Sequence, residues 1–130
     1  KIGSSGDSAQ IGSSGDYAQI GSSGGYAKIG SSGGSAQIGS SGGYAKIGSS
    51  GYSAQIGSSG DSAVICCAGH GSIVKAKKGS WITLSEWKYD DKKRANIPVC
   101  VKTEYVDGEK IKEDTFYKLK NGEFVEVANV

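Results

Sequence analysis

Ala27-Lys28-Ile29-Gly30-Ser31-Ser32-Gly33-Gly34-Ser35-Ala36-Gln37-Ile38 is the stretch on which the fold turns. Ala and Ile stand two residues apart, and the same pair returns nine residues later. Working outward, Ile recurs at Ile2, Ile11, Ile20, Ile29, Ile38, Ile47, Ile56 and Ile65. Ala precedes Ile by two at Ala9, Ala18, Ala27, Ala36, Ala45, Ala54 and Ala63. Residues two apart share one face of a strand, because strand side chains alternate. These Ala and Ile residues are therefore the expected core of a solenoid, with Ser or Tyr and Lys or Gln outside. A flexible Gly/Ser linker has a similar composition, but it has no reason to hold Ala and Ile in register.

The expected strand is of the type Tyr26-Ala27-Lys28-Ile29, and Gly-Ser-Ser-Gly is expected to turn the corner. Glycine there would supply positive φ and close backbone approach. Tyr/Lys units alternate with Ser/Gln units from Tyr26 to Gln55. The alternation predicts that two repeats, about 18 residues, make one coil with two facing strands. Tyr26, Lys28, Tyr44 and Lys46 fall on one face, as a candidate binding face, and Ser35, Gln37, Ser53 and Gln55 on the other. Tyr17 falls on the Ser/Gln side. Three to four coils, spaced as neighbouring strands are, predict a rod body of roughly 15–20 Å.

Composition divides the chain near Ala63. Residues 1–62 hold 17 of the 22 glycines, while both Trp, all three Cys and the single His and Pro lie beyond. The predicted architecture is all-β: a narrow nonapeptide-repeat β-solenoid over 1–80, then a small antiparallel hairpin domain over 81–130 that caps it. Residues 63–80 read as a last, modified coil. Trp81 to Trp87 and Ile97 to Tyr105 read as strands around a polar turn. Asp107-Gly108 marks a tight turn, and Asn121-Gly122 a hairpin between Thr115–Leu119 and Glu123–Val127. The expected core of this part is Trp81, Ile82, Leu84, Trp87, Val99, Val101, Ile111, Phe116, Leu119, Phe124 and Val127. A cap would shield the last coil's unpaired backbone groups. The N-terminal coil has no such cover, which predicts self-association there. The chain also opens inside a repeat, at Lys1-Ile2-Gly3, as expected of a piece of a longer array.

Chemistry is sparse. A net charge of +2 does not mark a nucleic-acid partner, and no apolar run suits a bilayer. Lys75, Lys77, Lys78, Lys92, Lys93 and Arg94 read as solvated loop charge. Cys66 and Cys67 are adjacent, so they point to opposite faces and cannot share one metal ion readily. Cys100 is distant, and His70 has no visible partner. The repeat length matches calcium-binding β-rolls, but Asp7, Asp16 and Asp61 are too few for a carboxylate ladder, leaving at most a stray site near Asp7 and Asp16. Ice-binding solenoids resemble regular Thr arrays, whereas this chain turns Tyr, Lys and Gln outward. Asp90, Asp91, Glu104 and Glu113 supply acids for a hydrolase without an evident pairing. No catalytic residue, metal or cofactor is expected.

The I-G-S-S-G-D-Y-A-Q repeats together with the C-terminal DGEKIKEDTFYKLKNGEFVEV resemble an uncharacterised family of phage and prophage proteins of gut bacteria. Members are often encoded among tail or appendage genes. The likeness spans Ile2 to Ile65 and Asp107 to Val127. It implies a β-solenoid with a small C-terminal domain, and it carries no catalytic residues. The function expected is a capped structural rod or spacer in a larger assembly, virion-associated as a tail or fibre accessory. The rival expectation is a binding module for a surface glycan or protein, using the Tyr/Lys face or the cap.

Overall fold

A computed structural model describes residues 1–128, so the last two residues of the expected C-terminal domain lie outside the described part. The described residues form an all-β solenoid with two nonapeptides to each coil, continued by antiparallel strands. The repeat contributes β1 (Ile2–Ser4), β2 (Gln10–Ser13), β3 (Gln19–Ser22), β4 (Lys28–Ser31), β5 (Gln37–Ser40), β6 (Lys46–Ser49), β7 (Gln55–Ser58) and β8 (Val64–Cys67). β9 (Ile73–Lys75) and β10 (Trp81–Asp90) follow, then β11 (Ala95–Tyr105), β12 (Tyr117–Lys120) and β13 (Glu123–Glu126). Odd strands up to β9 stack on one face and are followed there by β12 and β13, in the order β1-β3-β5-β7-β9-β12-β13. Even strands up to β10 stack on the other and are followed there by β11, in the order β2-β4-β6-β8-β10-β11. We call these sheet A and sheet B.

Each sheet thus has five solenoid rungs, more than the three to four coils expected, because β9 and β10 carry the ladder past the last Ile-Gly-Ser-Ser-Gly unit. Four intervals at ordinary strand spacing make a body of about 19 Å. Register is strict: Ile2, Ile20, Ile38, Ile56 and Val74 form one column, and Ile11, Ile29, Ile47, Ile65 and Ile82 the other. Ala27, Ala36, Ala45, Ala54 and Ala63 are fully buried, and Ile20 to Ile65 nearly so. Each such Ile contributes about 1.5–3 kcal/mol of burial. Ala9, Ile11 and Ala18 are only half-buried, since no rung covers that end in the described structure.

The phase of strand and corner differs from expectation. The strand is Lys/Gln-Ile-Gly-Ser, so the Gly-Ser following Ile is extended rather than turned. Ser8, Tyr17, Tyr26, Ser35, Tyr44, Ser53 and Ser62 make the corner, with φ between 54° and 60°. Through the Ile-Gly-Ser-Ser-Gly repeats the left-handed backbone therefore falls on Ser and Tyr, and on glycine only at the corner before β9, at Gly71. Its cost of about 1–2 kcal/mol per residue is offset by ladder bonds. Tyr26 N–H donates to the Gly43 carbonyl at 2.9 Å, and Tyr44 N–H to the Asp61 carbonyl at 2.8 Å. Glycine serves a different need. At Gly24, Gly33, Gly42, Gly51, Gly60 and Gly69 an added Cβ would overlap the backbone carbonyl of the equivalent glycine one coil earlier. Coils pass too closely there for any side chain.

At the far end both sheets switch from parallel to antiparallel pairing. Trp81–Thr83 of β10 pair with β8 as a rung, and the same strand then pairs with β11 as a hairpin, with a bulge between Glu86 and Trp87. Tyr117 of β12 pairs antiparallel with Val74 of β9, and β13 follows. Asn121 and Gly122 turn this second hairpin with φ of 53° and 77°. Ile82, Leu84, Val106, Ile111, Tyr117 and Leu119 are buried and continue the solenoid's apolar cluster, while Phe124 packs against it half-buried. Trp87, Phe116 and Val127 are also half-buried. Trp81, Val99 and Val101, expected inside, are exposed instead. Trp81 occupies the column of Lys46 and Val64, whose side chains point outward, and β11 is the outermost strand of sheet B.

The two hairpins are tied together. Asn121 and Gly122 N–H donate to the Glu86 carboxylate at 2.8 and 3.0 Å. These bonds hold the Glu86 carboxyl below the usual glutamate range. Lys77 pairs with Asp114 at 2.6 Å, which raises the Lys77 ammonium.

Candidate binding faces of the solenoid

Each sheet presents a flat outer face built from three rows: Lys or Gln, then Gly, then an exposed Ser. The central glycines are Gly3, Gly21, Gly39 and Gly57 on sheet A and Gly12, Gly30 and Gly48 on sheet B. Nothing lies within 4 Å of an added Cβ at any of these except Gly57, where Lys75 crosses. The result is a shallow furrow down each face, about 1030 Å³ on sheet A and about 860 Å³ on sheet B.

The two furrows differ chemically. Sheet A is lined by Lys1, Gln19, Gln37 and Gln55 and ends against Lys75, Asp114 and Phe116. Lys75 Nζ lies 4.9 Å from the centre of the Phe116 ring. Sheet B is lined by Gln10, Lys28, Lys46 and Val64, and its Lys row runs on into Trp81 and Tyr105. The rings of Trp81 and Tyr105 are 5.0 Å apart and tilted by 58°. The next row runs from Gly48 through Cys66 and Thr83 to Thr103, where the two threonine hydroxyls meet at 2.8 Å.

Of the four residues proposed as a binding face, the structure places Lys28 and Lys46 side by side on sheet B. Tyr26 and Tyr44 stand at the corner leading into it, stacked at 5.2 Å and 8°. Their facing sides are therefore taken by each other, the arrangement expected of neighbours along a stack. Tyr17 stands alone at the opposite corner, where its column holds Ser35 and Ser53, and is 75% exposed. Tyr52 lies back across Gly34, in space that only a glycine leaves open.

Sequence reasoning missed the aromatic end of sheet B, because it assigned Trp81 to the interior. The signal that finds it is register: one column holds Lys28, Lys46, Val64 and Trp81.

The remaining candidates are dispersed. Asp7 and Asp16 occupy opposite corners, so they build no shared calcium site. Each accepts an N–H from the next coil, Gly25 at 3.0 Å and Gly34 at 2.8 Å. Among the described residues no three His, Cys, Asp or Glu side chains cluster to hold a metal. Asp90 accepts Lys92 and Lys93 N–H at the β10–β11 tip, where Asp91 is exposed. Glu104 pairs with Lys102 and Lys110, and Glu113 sits beside Lys77. These acids are not brought together. Cys66 is exposed and Cys67 buried. Burial, with Cys66 beside it, pushes the Cys67 thiol up to about 12, which suits an inert core residue. No helix of the structure is long and apolar enough to cross a membrane.

Comparison with known protein families, curated proteins and solved structures finds no match to this chain.

Proposed function

We propose that the chain is a rigid structural rod, a spacer in a larger assembly such as a phage tail or fibre, with its C-terminal hairpins acting as the cap. The observation that carries this reading is the unbroken register of the Ile columns through five rungs on each face, with Val74 closing the one on sheet A. Backbone ladders of this kind resist bending and local opening, because each coil is held from both sides. At the β1/β2 end Ile2 is 38% exposed. Further rungs, or a second copy of the chain, would bury it. Limited trypsin digestion tests the rod. Lys28 and Lys46 should resist cleavage while lysines of the 107–116 loop are cut. Early cleavage at Lys28 would contradict the reading. Sedimentation should show association that Ile2→Lys weakens, and a monomer at every concentration would remove the self-association.

A second reading, a binding module for a surface glycan or protein, is supported by the distinct chemistry of sheet B. A glycan array tests it: retention of surface glycans supports the module, and none retained leaves the rod alone.

A further inference from the structure

We infer that the outer face of sheet B binds an acidic polysaccharide laid along the glycine furrow, a site that rests on the binding-module reading and gives it a ligand class. Three observations meet on this one face, the first shared with sheet A and the other two particular to sheet B.

The first is the glycines. Gly12, Gly30 and Gly48 lie inside strands, with no positive φ and open space where a side chain would stand. The fold does not require them, and strand glycine weakens a sheet. Such positions mark close approach by a ligand or by another backbone.

The second is charge. Lys28 and Lys46 are direct partners on adjacent strands. Like charges placed so are unfavourable. Sheet A puts Gln19, Gln37 and Gln55 at the equivalent positions, so the coil folds without lysine. Neither lysine makes a salt bridge among the described residues. The nearby corner acids are Asp7, bonded to Gly25 N–H, and Asp61. A carboxylate lying between the two ammonium groups would relieve their repulsion. A second copy of sheet B would bring more lysine to the same place, which argues against self-pairing on this face.

The third lies beyond the furrow's end at Val64, on the same face. Trp81, 50% exposed, and Tyr105, 42% exposed, continue the lysine column past Val64 and present two exposed rings tilted to each other. Thr83 and Thr103 add hydroxyls beside it. A sugar ring presents a C–H face to an aromatic, hydroxyls to Gln and Thr, and, in a uronic acid, a carboxylate to lysine. A nucleic acid is a polyanion too, and the DNA arm of the test separates it from a uronate chain. The larger furrow on sheet A lacks this combination: Gln19, Gln37 and Gln55 separate its two lysines, Lys1 and Lys75, which stand at opposite ends, and Lys75 already lies over the Phe116 ring.

The test uses the full chain and calorimetric titration with an oligogalacturonate, beside a neutral glucan of equal length, a poly-glutamate peptide and a DNA oligomer. Lys28→Gln with Lys46→Gln installs what sheet A already carries. Gly30→Thr with Gly48→Thr fills the furrow with a residue its column already accepts at Thr83. Both double variants should keep the wild-type circular dichroism and weaken oligogalacturonate binding about tenfold or more, over 1.4 kcal/mol. Gly21→Thr with Gly39→Thr, the same change on sheet A, should bind as wild type.

Absence of binding by wild type, or equal binding by all variants, overturns the proposal. Neutral glucan bound equally by wild type and the Lys28→Gln, Lys46→Gln variant overturns the acidic ligand and leaves the binding module standing. Poly-glutamate or DNA bound as tightly as the oligogalacturonate overturns the glycan assignment.

Discussion

From Ile2 to Lys75 every strand pairs in parallel with its counterpart one coil away, and the side chains inside are Ala, Ile and Ser, with Cys67 and Val74 in the last coil. From Trp81 onward the pairing is mostly antiparallel between consecutive strands, and the interior holds Leu84, Val106, Tyr117 and Leu119. The repeat region draws its order from backbone ladders and small side chains in register. The C-terminal region fills volume with larger side chains, ties its hairpins through Glu86, and holds the loop before β12 to the last coil through Lys77 and Asp114. One design can be lengthened by copying, because each coil offers the next the surface it received. The other ends the pattern, because a hairpin strand takes its second partner from its own turn. Even glycine has separate jobs in the repeat, close coil packing at Gly42 and an open furrow at Gly39.

The largest expected effect comes from attacking the coil contact. Gly42→Ala would drive a Cβ into the Gly24 carbonyl, held by backbone on both sides. We expect a loss above about 4 kcal/mol, read as collapse of the thermal transition of the repeat region.

Next is the apolar column. Ile47→Ala should cost about 2–5 kcal/mol, because Ile47 is 3% exposed between covered rungs. Ile2→Ala should cost roughly 1 kcal/mol or less, because Ile2 already meets solvent. Equal costs in urea titrations would deny the difference between the inner coils and the β1 end.

The hairpin tie is weaker and depends on pH. The Glu86 carboxyl is depressed in the folded state by N–H bonds from Asn121 and Gly122. Its stabilising contribution is therefore complete above the ordinary glutamate range and is lost as pH falls through the lower folded value. Asn121 and Gly122 amides should exchange faster in acid, and Glu86→Ala should reproduce this at neutral pH while β4 to β7 stay protected.

The smallest effect has the opposite sign. Gly39→Ala, with open space around its Cβ, should stabilise by about 0.5–1 kcal/mol, read as a small rise in Tm. The contrast with Gly42→Ala separates the two glycine roles within one repeat.

The buried Ala and Ile columns and the two-repeat coil were legible because the spacing recurs without error from Ala9 to Ile65. The alternation of Tyr/Lys with Ser/Gln units pointed to two faces. The phase of strand and corner was not legible. Gly and Ser are poor strand formers by propensity, yet Gly30-Ser31 are extended because the ladder on both sides holds them. Ser and Tyr are unusual at positive φ, yet the corner places them there because their N–H groups meet the next coil's carbonyls. Of the candidate site, the Lys28–Lys46 pair was readable from period alone. Trp81 was not, since its hydrophobicity suggests the core and only the register with Val64 turns it outward.

Amide hydrogen exchange, resolved by residue on the full chain, tests the stacked coil most directly. Lys28, Lys46 and Val64 N–H donate to the Ala9, Ala27 and Ala45 carbonyls. Lys46 and Val64, between covered rungs, should exchange only with global unfolding, and Lys28, nearer the β2 end, somewhat sooner. Exchange of all three at the rate of an unstructured peptide would contradict the solenoid and every role built on it.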